Sequence, residues 1–565
     1  MSDLLTAVSL VFIIAGPFLL FADRFDLPTV PFLILAGIVA GFFIREGLTL
    51  ELARYGIALL VFSFGIGIDV SGIRSVLSDS ETAALGQVIV VGSLGIGLGV
   101  LLGVPTGQAV YLGIAAAFSS TIVGTALLQT EIRRKLVRGR LAESIQLVQD
   151  LLAIVVLLVL GAGALAPDPI AMQVGYGLSL LVVAVLINRH FFDVVGRLAG
   201  DSSELMIIGV VSLLVVFIAA AELAGVSIVV GAFAAGIAVR HDPAEYLDLL
   251  NGLTSIEDFF VAIFFVTVGA LVAVPFVEVG WAASVETLSL AFGLVVLTGV
   301  IKPAVTTAIL IYNGYEARSA TLTGLSVDQV SEFALIIAIE ALLFGLLSQT
   351  VFGAIILAAA VTMITSSLTH QYGEGIYRSL SEQGLIRGGH DRVDRLSDVG
   401  EGCSDHIVIV GYGREGKRLA QACTDLETPH VVIGNDPALL EAVASECESY
   451  VFGDAMERYT WEKANVEDAK IVVSTVHSEP VSDRLLSYDF DADLLLRTND
   501  VGTALEYLDR GALYVSVSDL LAGEQLVGTL QALFEGDLTS DELRAEQRET
   551  FQEYAGVSGQ RDGRR

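Results

Sequence analysis

Apolar residues fill most of the first two thirds of the chain, in blocks long enough to cross a bilayer, which takes about 20 residues of helix. Thirteen such windows fall near 4–22, 28–44, 52–68, 83–104, 108–129, 141–165, 170–188, 203–223, 226–240, 256–276, 284–312, 319–345 and 347–368. Past 371 the pattern changes to short apolar runs set among charged residues, as in a water-exposed α/β domain. The expected division is a membrane unit over 1–370, a linker over 371–404, a folded unit over 405–534 and an acidic, helical or fraying tail over 535–565.

Two windows are interrupted. The fifth, "YLGIAAAFSSTIVGTALLQ", has Ser119, Ser120 and Thr121 at its middle and Gly124 soon after. The twelfth, "LTGLSVDQVSEFALIIAIEALL", carries Ser326, Asp328, Gln329, Ser331 and Glu332. These windows are seven apart, an odd offset, so they cross the membrane in opposite senses. Opposed helix breaks in matching places predict an inverted-repeat transporter, in which unwound backbone meets an ion near the bilayer midplane. Small polar residues also line ordinary helix contacts, and the serines alone do not decide between the two readings.

Charge inside the apolar windows sharpens the picture, because ionisable groups are costly at membrane depth and generally serve function. Asp150 follows Gln149 in "IQLVQDLLAI", and Lys302 precedes Pro303 in "LTGVIKPAVTTAIL". Counted at about 1.5 Å per residue from the inner ends of their windows, both sit at about mid-depth. A carboxylate and an ammonium at one depth are expected to pair in one state. A purely structural ion pair is the plainer alternative.

The chain is 54% hydrophobic with mean hydropathy +0.70 and net charge −32. Residues 371–565 hold 37 acidic against 18 basic side chains, a net of −19, which excludes nucleic acid as a partner and fits a domain hydrated in a salty, halophile-like cytoplasm. Cys403, Cys423 and Cys447 show no metal or disulfide spacing. Residues 1–22 lack the flanks of a cleaved signal and read as the first span. Eleven basic residues, among them Arg24, Arg74, Arg134, Lys135, Arg138, Arg197, Arg240 and Arg318, fall in the odd-numbered connections, and only Arg45 and Arg54 in the even ones. The asymmetry puts the N-terminus outside and the acidic unit in the cytoplasm of a multi-pass plasma-membrane protein.

In that second unit the strand "HIVIVG" runs into Gly411-x-Gly413-x-x-Gly416, a helix, and the strand "HVVIG". This βαβ context is that of a dinucleotide fingerprint, whose glycines let phosphate approach the helix N-terminus. The same residues nearly spell a P-loop, but Arg418 stands where Ser or Thr should hold Mg²⁺. Gly434 ends the second strand where an acid usually holds the ribose, with Asp436 two residues on. Binding weakened, shifted to Asp436, or lost are the three outcomes this leaves open.

With "LLVFSFGIGIDVSGIR", "AFSSTIVGTALLQ", "IQLVQDLLAI", "IEDFFVAIFFVTVGALV" and "GLSVDQVSEFALI" in this order, the chain resembles a Kef-type monovalent cation:proton antiporter of the CPA2 superfamily. Gly67 departs from the family's usual Glu, and the last stretch has fewer glycines before Glu332-Phe333. Downstream, "YVFGDAMERYTWEKANVEDAKIVVSTV" resembles the KTN/RCK (TrkA-N) regulatory domain. The resemblance implies an all-α polytopic membrane domain of about thirteen helices with two broken ones, a cytoplasmic Rossmann-like domain, elevator-like motion and a homodimer. It also implies that Gln149-Asp150 marks K⁺/H⁺ rather than Na⁺/H⁺ exchange.

On that reading Asp150 carries proton and cation in turn, with Gln149, Ser119, Ser120, Thr121 and Gln329 around it and Lys302 as counter-charge. Glu332 either stabilises the second break or lines the access path. No resident metal and no enzymatic activity are expected. Gly411, Gly413, Arg414, Gly416, Asp436 and Asp454 would hold NAD(H) or an AMP/ATP-type nucleotide. The family's glutathione-responsive acidic loop has no close copy in "HDPAEYLDLLNGLTS". An RCK-regulated channel lacks its TVGYG filter here. A solute/cation symporter stays open.

Overall fold

A computed structural model describes residues 2–25, 27–44, 46–67, 81–133, 137–160, 167–192, 203–239, 247–386, 390–400, 404–476, 478–488, 491–536, 538–545 and 547–548. Arg74, Arg134, Lys135, Arg197 and Arg240 of the charge asymmetry, Gly67's neighbours 68–80, Cys403, and most of the 241–255 loop and the 535–565 tail lie outside the residues whose side chains it describes. The chain forms two compact units that divide after Gly388.

Among the described residues, each apolar window falls mainly on helix. Spans 1 to 4 are Ser2–Arg24, Thr29–Gly41, Glu46–Gly67 and Glu81–Leu101. Span 5 is Thr106–Ala117 with Thr121–Leu127, and spans 6 to 8 are Val137–Leu160, Pro167–Leu186 and Ser203–Leu223. Spans 9 and 10 are Ile228–Ala238 and Leu247–Ala270; span 11 joins Trp281–Val296 to Lys302–Asn313 through one wide turn. Span 12 is Ala317–Ser326 with Glu332–Leu343, and span 13 is Gln349–Glu382. Among the described residues nine helices are long and apolar enough to cross a membrane by length and composition, and Thr29–Gly41, Ile228–Ala238 and Phe259–Ala270 are shorter apolar helices. Ile89, Val215 and Phe292 are exposed on the outward faces of spans 4, 8 and 11.

Packing repeats with an offset of seven spans. Span 2 crosses span 10, and span 9 crosses span 3; raising or lowering each number by seven turns one crossing into the other. Both are glycine contacts in which backbone meets backbone, the small-residue packing that replaces hydrophobic drive between helices in lipid. A Cβ on Gly37 would lie 2.1 Å from the Val266 carbonyl oxygen, and one on Gly236 2.2 Å from that of Phe62. Gly236→Val should therefore cost about 3 kcal/mol or more by overpacking, read as a lower melting temperature and loss of a monodisperse peak in detergent.

The linker expectation needs moving. Span 13 runs on to Glu382, because its hydrogen-bonded helix does not stop where its apolar residues do. At the other end, Asp398 pairs with Tyr450 through N–H···O bonds of 2.9 and 2.6 Å, so the last part of 371–404 belongs to the second unit.

That second unit is a six-stranded, all-parallel sheet: β1 His406–Val410, β2 His430–Gly434, β3 Tyr450–Phe452, β4 Ala469–Ser474, β5 Asp493–Thr498 and β6 Tyr514–Val517, in the order β3-β2-β1-β4-β5-β6. The order reverses between β1 and β4, the switch point where doubly wound folds bind ligands at the strands' carboxyl ends. Val408, Ile409, Val431, Val432 and Val472 are fully buried, the continuous apolar run expected of strands covered on both faces. Cys423 and Cys447 are free and buried, and burial pushes both thiols up, away from reactivity.

Candidate functional site

The two breaks lie against each other in the membrane unit. Residues 118–120 leave the helix between the two pieces of span 5, and residues 327–331 between those of span 12. Each break restarts the same way: Ser120 Oγ accepts the Val123 N–H (3.1 Å) and Ser331 Oγ the Phe333 N–H (3.0 Å), so a serine caps each new helix. Ser119 Oγ donates to the Val327 carbonyl (2.9 Å), and Gln329 Nε2 to the Ser120 carbonyl (3.2 Å), tying the breaks together.

Unwinding leaves helix ends with bare amides on one side and bare carbonyls on the other. Glu332 answers the first. Its Oε1 accepts the N–H groups of Thr121 (3.2 Å) and Ile122 (3.1 Å), placing a carboxylate at the positive end of the half-helix Thr121–Leu127. Of the two roles weighed for Glu332, the geometry is that of a cap, on the first break rather than on its own. Lys302 answers the second: Nζ donates to the Phe118 carbonyl (3.1 Å) and the Gln329 carbonyl (2.7 Å), one from each break.

Lys302 therefore does not meet Asp150 in this conformation, contrary to the pairing expected from equal depth. Carbonyls freed by both breaks are nearer and otherwise unmade acceptors, and they take the ammonium. Asp150 instead accepts Thr121 Oγ1 at 2.6 Å, and among the described residues no basic side chain pairs with it. It is 1% exposed.

Gln149 and Ser120, expected as oxygen donors to a cation, have a further use. Gln149 Oε1 accepts the Ser119 N–H (2.8 Å), and Ser120 Oγ is its helix cap. Thr121 is the residue whose oxygen touches the carboxylate. All eight expected residues (Asp150, Gln149, Lys302, Ser119, Ser120, Thr121, Gln329 and Glu332) nevertheless meet around the crossed breaks.

Sequence reasoning missed several partners. Gln146 Nε2 donates to the Ser120 carbonyl (2.9 Å), and a Cβ on Gly124 would lie 2.0 Å from that nitrogen, which explains the glycine. Gln146, Gln149 and Asp150 sit at helical spacing on one face, a signal available in the sequence. Gln87 was not foreseeable: it donates to the Ala117 carbonyl (2.9 Å) and accepts from Thr306 (2.8 Å), joining spans 4, 5 and 11.

In the second unit the glycine turn is built as expected. Gly411 has φ +93°, open to glycine, and a Cβ on Gly416 would lie 1.9 Å from the Gly411 oxygen. A Cβ on Gly413 meets no protein atom, so the space in front of it is open. Arg414 is exposed at the start of the helix Arg414–Asp425. A cleft of about 70 Å³ lies beside the turn, lined by Gly411, Gly434, Asp436, Leu439, Val443 and Phe452 among others. Asp436 thus stands in the cleft that Gly434 leaves without an acid. Asp454 does not: it is buried and accepts the Met456 N–H (2.9 Å), closing the turn after β3. Tyr412 donates to Glu446 (2.7 Å), and burial with that carboxylate pushes its hydroxyl up, keeping it a donor.

A sodium/hydrogen exchanger transmembrane family model matches residues 8–371, and a TrkA-N domain model matches residues 407–486. A relative named "Putative cation/proton antiporter YbaL", from Escherichia coli (strain K12), is 26% identical over 78% of this chain and 81% of its own length. Another, named "Putative K(+) efflux antiporter KefB", from Alkalimonas amylolytica, is 27% identical over 86% of this chain and 74% of its own. The solved sodium proton antiporter MjNhaP1 from Methanocaldococcus jannaschii matches 65% of this chain and 98% of its own at TM-score 0.52 and 14% identity, a likeness of fold alone. With nearly two thirds of its length matched, its helices crossed at paired breaks and a Rossmann-like unit later in the sequence, the chain is a multi-pass membrane protein that belongs to the sodium/hydrogen exchanger family and carries a TrkA-N domain.

Proposed function

We propose that the chain exchanges a monovalent cation, K⁺ in preference to Na⁺, for a proton at Asp150, one for one and without net charge, under control of a nucleotide bound to the second unit. One observation carries this reading: Asp150 is buried with a hydroxyl as partner, while Lys302 is engaged by backbone carbonyls. A buried carboxylate with no fixed counter-charge needs a mobile one. Proton or alkali ion can supply it, and each excludes the other. The relatives named for cation/proton and K(+) efflux antiport support the choice of chemistry. The chain acts as a transporter and no covalent step is proposed. A plasma-membrane location, an external N-terminus and a homodimer complete the proposal.

Purified protein in liposomes with an internal pH dye should show proton movement opposite to added K⁺, Rb⁺ or Na⁺, strongest with K⁺. Because protonated Asp150 cannot hold the cation, lowering pH should raise the apparent KM for K⁺. Proton and cation moving in the same direction would replace exchange with symport; cation flux without protons would replace it with a channel.

The nucleotide is NAD(H) or an AMP/ATP-type nucleotide. Its phosphate would face the open side of Gly413 at the helix N-terminus, its ribose Asp436, and its base the wall of Leu439, Val443 and Phe452. Gly413→Val should abolish binding in calorimetry while leaving the melting temperature nearly unchanged. Gly416→Val, driven into the Gly411 carbonyl, should lower both.

A further inference from the structure

Span 13 presents one polar stripe. Thr362, Ser366, Thr369 and His370, and Glu374 fall on successive turns and so share a face of the helix. Their partners belong mainly to span 12. Thr362 Oγ1 accepts the Val330 N–H (3.2 Å), Ser366 Oγ donates to Gln329 Oε1 (3.2 Å), and Thr369 Oγ1 donates to Asp328 Oδ2 (2.6 Å). Farther along, Arg138 donates to His370 Nδ1 (2.9 Å) and to Ser326 Oγ, and Arg318 pairs with Glu374 (2.9 Å). The stripe thus runs from the crossed breaks toward the end of the span that leads to the second unit.

Asp328 has no part in the exchange chemistry described above. It lies within the second break, 1% exposed, with Oδ2 taken by Thr369 and Oδ1 without a hydrogen-bond partner. A buried carboxylate oxygen with nothing to accept is expensive to keep, so a ligand is the natural explanation for it. The groups around it are oxygens: the hydroxyls of Thr369 and Ser366 and the amide oxygen of Gln329, the donor set of a hard alkali cation. An anion would be repelled by the carboxylate.

We propose that Asp328 is a second, weaker site for the monovalent cation, occupied on the way along the span 13 stripe to Asp150. It rests on the antiporter reading. The route onward is short in covalent terms, since Glu332, four residues later, holds the amide of Thr121, whose hydroxyl holds Asp150. Lys302 sits on the carbonyl of the adjacent residue, Gln329. Its charge lowers the affinity of the Asp328 site, so that an ion is passed on and not trapped.

The test measures equilibrium binding of radiolabelled Rb⁺ to the purified full-length chain. Asp150→Asn should keep a weaker Rb⁺ site, and Asp150→Asn with Asp328→Asn should lose it. Absence of Rb⁺ binding to the first variant, or equal binding to both, overturns the proposal. In liposomes, Asp328→Asn should raise the apparent KM for Rb⁺ about tenfold on the face bearing the second unit. Thr369→Val, which leaves the carboxylate in place, should raise it by a smaller factor and serves if Asp328→Asn does not fold. An unchanged KM on that face rules the site out. If the native chain itself exchanges no Rb⁺ for protons, the antiporter reading fails, while the binding comparison still judges Asp328.

Discussion

Asp150→Asn is expected to reduce cation-dependent proton flux in liposomes to that of empty vesicles, by about 100-fold or more, the scale on which proton-handling side chains act. The substitution keeps the size of the side chain and an oxygen for Thr121 Oγ1 to donate to, so the 2.6 Å contact has a replacement. What is lost is titration. An amide cannot release a proton to a cation, and it brings no charge for the cation to neutralise. The folded protein should survive, with an unchanged or raised melting temperature, since a buried charge without a fixed partner has been removed. Flux that persists in a well-folded variant would move the carrier role elsewhere, to Glu332 or Asp328.

Glu332→Leu is expected to have the largest effect on stability. Its Oε1 is the acceptor for two amides, Thr121 and Ile122, which have no intrahelical carbonyl to turn to. Leaving each buried donor bare costs about 1–3 kcal/mol. A loss of ~2–6 kcal/mol follows, read as a marked fall in melting temperature in detergent. Glu332→Gln keeps an oxygen in the same place and loses only the charge at the helix end. It should recover most of the stability. If Leu and Gln behave alike, the carboxylate's charge rather than its acceptor geometry holds the half-helix.

The membrane spans were legible because twenty apolar residues in a row have few other uses, and both breaks were legible because Ser and Asp cannot be hidden among Val and Leu without a reason. Asp150 stood out for the same cause. What pairs with what was not legible. Equal depth suggested Lys302 for Asp150, yet depth says nothing about which helix face a side chain leaves from, and the carbonyls that capture Lys302 exist only once both helices unwind. The cap on Thr121 joins residues 211 positions apart, and the bond from Thr306 to Gln87 spans 219. Such contacts come from the crossing of repeats, which a single chain read in order does not display. In the second unit the Gly411–Gly416 turn was readable since each glycine answers a local steric demand. Asp454 was expected at the nucleotide from a family motif, which carries residue types forward but does not display that the buried turn after β3 uses the carboxylate for its own backbone.

Whether one carboxylate serves both ions in turn is tested most directly by the null point of exchange. Liposomes holding the protein are given K⁺ and proton gradients in the same direction, the membrane voltage is set with a permeant lipophilic ion that is neither K⁺ nor a proton carrier, and the gradient ratio at which net flux stops is found. A carrier that moves either one proton or one K⁺ per crossing stops where the two concentration ratios are equal, at every voltage. A null point that shifts with voltage would mean that more than one proton accompanies each cation, and the single-carboxylate account would be wrong.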